Sequence, residues 1–409
     1  AGGQPRTIAT SGSMDVDFNQ EKEEVFAEAW NYLNDNYMNP TMNGVDWQAV
    51  RVRYAPVVAG ARTQADLLWV LSEMIGELNS SHSGIAAGAA PGGGAGSGTG
   101  HLGLYFDRGK YESAGQLCVT EVVPQSPAAL ADVRVGDCLT RVDGVPISAQ
   151  ANLDEILDGT VGRKLALELE RGSAVQTVSL QPVVAAAAKN LIYLAWVEHN
   201  RQRVDELSHG ALGYVHMNDM SQASLDRLYL DLDTANFARK GVVIDVRNNN
   251  GGFVHDYALD VLTRHPFLTM VPRGMGADVP ARVALGQRAL EKPTILITNQ
   301  NTLSDSEDFT EGYRAMRLGK VVGVPTAGWI IFTSAARLID GSNLRLPTDR
   351  ILDHAGKDME LHPRAVDVEV QDTPDAWRQD PQLEAAVKTL LTQIQTPAGA
   401  AIAPAGGGH

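Results

Sequence analysis

The sequence predicts a multidomain α+β chain in three parts: a helical block, a small β-rich domain, and a larger domain of alternating strands and helices. Three observations predict it. The hydrophobic period changes from helical to strand spacing across the Gly/Ala run "GIAAGAAPGGGAGSGTG" at 84–100. The order strand, polar turn, helix then occurs twice beyond residue 193. Finally, 409 residues exceed what one typical hydrophobic core accommodates.

The first part, residues 14–85, places Phe26, Trp30, Leu33 and Tyr37 at helical spacing. A further helix opens at Thr63, with Asp66 three positions on, and aligns Leu67, Leu71, Ile75 and Leu78 on one stripe. These stripes are core faces. Residues 86–100 read as a flexible linker, because Gly and Ala bury too little surface to order themselves. Residues 101–183 hold the short strands "HLGLYF", "QLCVTEVV", "CLTRVDG", "KLALELE" and "QTVSLQP", with "SPAALADVRVGD" after the second. This order resembles a PDZ domain, which adds a peptide as a strand to its own sheet edge. The resemblance implies that Leu102, Gly103 and Leu104 form the loop that receives the terminal carboxylate of a C-terminal peptide. A spacer that binds nothing is the alternative.

The third part, 193–396, contains "GVVIDV" followed by "RNNNGG" and a helix from about Phe253, then "TILITN" followed by "QNTLSD" and a second helix. Asp380 and Pro381 announce the last helix, and 397–409 read as a disordered tail.

Composition narrows the function. Hydrophobic residues at 44% and charged residues at 20% are those of a soluble globular protein. Forty-nine acidic against 34 basic residues give a net charge of −15, which argues against a nucleic-acid partner. No apolar run has membrane-spanning length, and the start lacks a secretion signal, so a cytoplasmic protein is expected; the start reads like the middle of a longer one. Cys118 and Cys138 lack metal-ligand spacing and read as packing residues, and no metal or other cofactor is expected.

The stretch "NQNTLSDSEDF" carries the chemical question. Ser304 followed by Glu307 fits a capping box. Ser304 becomes a nucleophile only with a base, an orienting group and oxyanion donors. Among ten histidines, His82 stands out because it ends a helix flanked by hydroxyls in "NSSHSG". His216 alternates with apolar residues and reads as a sheet histidine, while His255 shows no recurring partner. The turn "RNNNGGF" offers glycine amides to a substrate, and the Asp305 amide follows the serine as a second donor.

The ordered motifs "WNYLNDNYMNPTMNGVDWQAV", "MIGELNSSHSG", "GYVHMNDM", "VVIDVRNNNGGF", "ILITNQNTLSDSEDF", "LGKVVGVPTAGW" and "RLIDGS" resemble the catalytic half of the tricorn proteases over about residues 20–395. That resemblance implies a crotonase/ClpP-like catalytic fold and a serine peptidase with Ser304 as nucleophile and His82 as base. It further implies Ser81 and Glu360 as the polar residues completing a tetrad, and the amides of Gly252 or Gly251 and of Asp305 as oxyanion donors. The related carboxyl-terminal processing peptidases place a catalytic lysine after T-x-G. Here "PTAGW" puts Trp329 there, which cannot accept a proton.

The acidic residue behind the family's preference for basic side chains should fall near Thr269 or Met270, neither of which is acidic, leaving Asp305 as the obvious charge beside the serine. Peptides or unfolded chains are the implied substrates, a homo-hexamer the implied assembly, and the family's β-propellers are missing from this sequence. A non-enzymatic peptide-binding scaffold is the rival reading.

Overall fold

The computed structural model describes residues 15–88, 98–271, 273–274, 279–280, 288–373 and 379–395. The expected tail, the chain start and linker positions 89–97 lie outside the described residues.

Helices α1 (Phe18–Asn36), α2 (Trp47–Gly60) and α3 (Gln64–Gly76) precede strand β1 (Gly84–Ala86). The α1 stripe Phe26, Trp30 and Leu33 is buried, with Tyr37 just beyond it. Thr63 and Asp66 form the expected reciprocal cap of α3. Helix α2 was not legible, because "VRVRYAPVV" alternates in twos and carries Pro56 inside the helix. It is held by stacking of Trp47 on Trp30 at 6.1 Å, each indole N–H donating to the other's carbonyl.

The PDZ-like part contains β2 (Leu104–Phe106), α4 (Arg108–Ala114), β3 (Leu117–Val122), α5 (Pro127–Leu130), β4 (Cys138–Val142), β5 (Val145–Pro146), α6 (Leu153–Leu157), β6 (Leu165–Arg171) and β7 (Ala174–Leu180). Its sheet runs β2-β3-β4-β6-β7, with β5 on β4, over a core that includes Leu102, Val119, Leu139 and Leu167. Cys118 and Cys138 are disulfide-bonded, which corrects their reading as packing residues. Antiparallel register puts one opposite the other, a pairing that the twenty-residue separation conceals.

The remaining elements are α7 (Ala185–Ser208), β8 (Leu212–His216), α8 (Gln222–Asp233), β9 (Gly241–Asp245), α9 (His255–Thr263), β10 (Thr269–Met270), β11 (Val279–Pro280), β12 (Thr294–Thr298), α10 (Asp305–Ala315), β13 (Gly319–Gly323), β14 (Ile331–Arg337), β15 (Asn343–Arg350), β16 (Val368–Glu369) and α11 (Pro381–Gln395). Strands β16-β13-β12-β9-β8 form a wholly parallel sheet. Every residue of β8, β9 and β12 is buried, which suits the β-branched runs of β9 and β12 in a sheet covered on both faces. Because β9 and β12 are neighbours, the turns leaving their carboxyl ends meet, and such ends are where α/β sheets place ligands.

Strands β14 and β15 leave this sheet, add β1 in the order β1-β15-β14, and send Leu338, Leu344 and Leu346 into the core of the N-terminal helices. Residues near 82 are thereby carried to the α/β part. Among the described residues no helix is long and apolar enough to cross a membrane.

Candidate active site

Ser304 stands between β12 and α10 with φ 59° and ψ −134°, a left-handed conformation that costs a non-glycine residue about 1–3 kcal/mol. Its N–H donates to Trp329 O at 2.8 Å, and its side chain makes no cap hydrogen bond. The capping-box alternative is therefore corrected. The Glu307 carboxylate turns away, accepting from the Thr326 hydroxyl and from the N–H groups of Gly328 (2.7 Å) and Trp329 (2.6 Å). Burial raises the Glu307 pKa, against the pull of those donors.

The freed Ser304 hydroxyl lies 2.8 Å from His82 Nε2, across 222 residues of sequence. His82 Nδ1 lies 2.7 Å from Ser81 Oγ, which donates to Glu360 Oε2 at 3.1 Å. Glu360 is buried and accepts two further bonds, from Ser81 N–H at 2.7 Å and Ile330 N–H at 2.9 Å. Three donors meet a carboxylate that only accepts, so the Ser81 hydrogen points at Glu360 and leaves Oγ to accept Nδ1–H. Nε2 then carries the lone pair facing Ser304. Burial lowers the His82 pKa from 6.5 to about 4, and the Arg345 guanidinium also disfavours the charged ring. The imidazole is thus neutral at neutral pH.

Gly251 and Gly252 border the same space. A Cβ on Gly251 would stand 2.4 Å from Ser304 Cβ, so only glycine lets the two turns touch. The Gly251 N–H is taken by Asn249 Oδ1 at 2.8 Å, which removes Gly251 as an oxyanion donor. Neither the Gly252 nor the Asp305 N–H has an acceptor among the described residues. The Asp305 carboxylate is 1% exposed, so it is not a charge offered to substrate, contrary to expectation. One oxygen accepts from the N–H groups of Val254 (2.8 Å) and His255 (3.1 Å), and the other contacts His255 Nδ1. It ties the glycine turn to the start of α10.

His255 had shown no partner in sequence; burial opposes its charged form, but the Asp305 contact and charge raise its pKa. Burial pushes Asp308 up to about 7, opposed by the charge of His255. Ligand atoms of His255, Asp305 and Asp308 lie within 4.8 Å of one another; Asp305 is hydrogen-bonded to His255 and two amides, whereas the buried Asp308 Oδ2 has no hydrogen-bond partner among the described residues.

The other expectations separate from this centre. Trp329 is half-exposed, with its carbonyl on Ser304, and Thr269 and Met270 lie exposed on β10. His216 is a satisfied sheet histidine, bonded to Tyr193 Oη at 2.9 Å and Arg247 O at 3.0 Å. Leu102, Gly103 and Leu104 line a separate cavity of about 280 Å³ beside α6. The residue that nothing local in the sequence marks is Arg345, which lies on β15 opposite Gly84 and whose charge acts on His82.

A buried carboxylate, a serine and an imidazole in line with a second serine, beside unpaired amides, form a centre for acyl transfer. Residues 211–370 match Peptidase family S41, residues 18–76 the Tricorn protease C1 domain, and residues 118–171 a PDZ domain. The class this defines for the 211–370 segment is similarity to the peptidases of family S41.

Proteins similar to this chain over most of its length include tricorn proteases. Tricorn protease homolog 1 of Streptomyces coelicolor is 33% identical over 92% of this chain and 36% of its own length. Tricorn protease of Thermoplasma volcanium is 28% identical over 91% of this chain and 36% of its length. A crystal structure of the tricorn protease superposes with TM-score 0.80 at 26% identity, covering 92% of this chain and 37% of the other. The chain spans about a third of the length of these relatives.

Proposed function

We propose that this chain hydrolyses peptide bonds in short peptides or unfolded chains through an acyl-enzyme. Ser304 Oγ attacks the scissile carbonyl carbon as His82 Nε2 takes its proton. The amides of Gly252 and Asp305 hold the oxyanion, and Ser81 and Glu360 orient the ring and support its charge. The imidazolium gives the proton to the leaving amine, and water activated by the same ring then hydrolyses the ester. The 2.8 Å contact of His82 Nε2 with Ser304 Oγ supports this most directly.

The finer architecture belongs to the same proposal: a crotonase/ClpP-like catalytic domain at 193–396, a PDZ barrel at 101–183 that takes C-terminal peptides, and a helical domain at 14–85 that delivers the base. A homo-hexamer is the assembly the tricorn resemblance implies.

The test is fluorophosphonate labelling together with cleavage of a peptide library. Labelling and cleavage are expected in the wild type and lost in Ser304→Ala. A folded wild type that neither labels nor cleaves points instead to a peptide-binding scaffold.

A further inference from the structure

The charge left open beside the candidate centre is positive. Asp305 is buried and committed to His255 and two amides, so the anion nearest the serine is closed to substrate. Arg345 lies instead on β15, opposite Gly84 of β1, which follows His82 by two residues, and opposite Ala335 of β14. Both cross-strand neighbours are small, and a Cβ on Gly84 would meet nothing within 4 Å. Arg345 is exposed, with partial burial disfavouring its charge.

Its side-chain hydrogen bond is to a neutral group, the Thr333 hydroxyl at 3.2 Å. Among the described residues no carboxylate pairs with it, whereas Arg350, on the same strand, pairs with Asp358 at 2.7 Å. A guanidinium with five fixed donors, partly desolvated and lacking an acid, is suited to receive a carboxylate from outside the chain.

The position decides which part of a substrate brings that carboxylate. His82 must hand its proton to the leaving amine, so groups clustered around the ring face the leaving fragment. The same position makes Arg345 oppose the imidazolium that forms during attack, since like charges disfavour each other. A carboxylate laid on Arg345 cancels that opposition just when the ring becomes charged. The interaction therefore strengthens in the transition state.

We propose that Arg345 is a specificity-determining residue that binds a carboxylate carried by the leaving part of the peptide, whether an acidic side chain or the chain terminus. The proposal rests on the peptidase reading above. It concerns the leaving side of the scissile bond, a different subsite from the basic side chain that the tricorn resemblance places before that bond.

The test uses a peptide library randomised on the acyl side, made with four leaving parts: free acid or carboxamide, each with Asp or Asn. The wild-type chain is expected to cleave carboxylate-bearing versions about tenfold faster in kcat/KM than the Asn carboxamide, equivalent to about 1.4 kcal/mol. An advantage confined to the free acids identifies the terminus as the source, and one confined to Asp identifies the side chain. Arg345→Gln is expected to bring all four within about twofold, and Arg345→Glu to favour a Lys carboxamide.

Equal wild-type rates on all four overturn the proposal while leaving the peptidase reading intact, as does a preference that survives in Arg345→Gln. A wild type that neither cleaves nor labels with fluorophosphonate overturns the peptidase reading and this proposal with it.

Discussion

Replacing Glu360 by glutamine keeps the shape of the side chain but removes its charge and one acceptor. Three donors converge on the native carboxylate: Ser81 N–H at 2.7 Å, Ser81 Oγ at 3.1 Å and Ile330 N–H at 2.9 Å. A carboxamide cannot satisfy all three. With its NH2 toward Ser81 N–H, the hydroxyl contact survives, but a neutral acceptor replaces the anion behind the imidazolium. With its NH2 toward Ile330, the Ser81 hydroxyl becomes an acceptor and turns its hydrogen to His82 Nδ1. The ring proton then moves to Nε2, the atom that has to receive the Ser304 proton.

Either orientation leaves one buried N–H unpaired, which costs about 1–3 kcal/mol. Exchanging an anionic for a neutral acceptor weakens the Ser81 bond by about another 1 kcal/mol. A total of about 2–4 kcal/mol expressed in the transition state lowers kcat by about 30- to 1,000-fold. The assay is single-turnover cleavage of a fluorogenic peptide at neutral pH by Glu360→Gln, Ser81→Ala and the double variant. Because the groups act in series, the double variant should be within about threefold of the slower single. A Glu360→Gln enzyme that keeps wild-type kcat to within about threefold, or penalties that multiply in the double variant, would refute the orienting role.

Three further outcomes follow from the same geometry. The pKa of His82 is depressed from 6.5 to about 4, so the neutral, proton-accepting ring persists as pH falls, and the acid limb of kcat/KM should lie near 4, with Arg345→Gln moving it upward. The sign extends to stability: a histidine that resists protonation when folded destabilises the fold as pH drops below 6.5, and a pH–rate limb at or above 6.5 would contradict the assignment. Gly251→Ala places a Cβ 2.4 Å from Ser304 Cβ and 2.8 Å from the Asp305 nitrogen at φ +83°, and should cut the fluorophosphonate labelling rate by about 100-fold or more with the circular dichroism spectrum retained. Reducing the Cys118–Cys138 disulfide, which closes a loop of twenty residues, should destabilise the PDZ-like part by about 2–4 kcal/mol in denaturant titration.

Legibility from sequence follows the range of the interactions. The stripes of α1 and α3 and the buried runs of β9 and β12 are set by local periodicity, and the structure contains them. Features decided by strand register were not readable. Cys118 faces Cys138 because β3 pairs β4, and Arg345 faces Gly84 because β15 accepts β1. Ser304 and His82 could be singled out from neighbouring residues, whereas Glu360 had no local mark and entered through resemblance alone. Asp305 was misjudged for a physical reason: sequence shows that a charge is present, not which way its carboxylate turns, and here it turns inward to His255.

The segment 326–360 explains how two distant, strained residues become one centre. His82 and Ser304 have φ of 58° and 59°, conformations that non-glycine residues keep only when their surroundings over-determine them. At Ser304 the constraint is the Trp329 carbonyl, itself fixed through the Glu307 carboxylate on the Gly328 and Trp329 amides. At His82 it is Glu360 on the Ser81 amide and hydroxyl, reinforced by pairing of β1 with β15 two residues later. Ile330 N–H joins the two systems by donating to Glu360. Neither the helical block nor the parallel sheet contains both sets of restraints, so the segment between them supplies the stabilisation that offsets the strain at each residue.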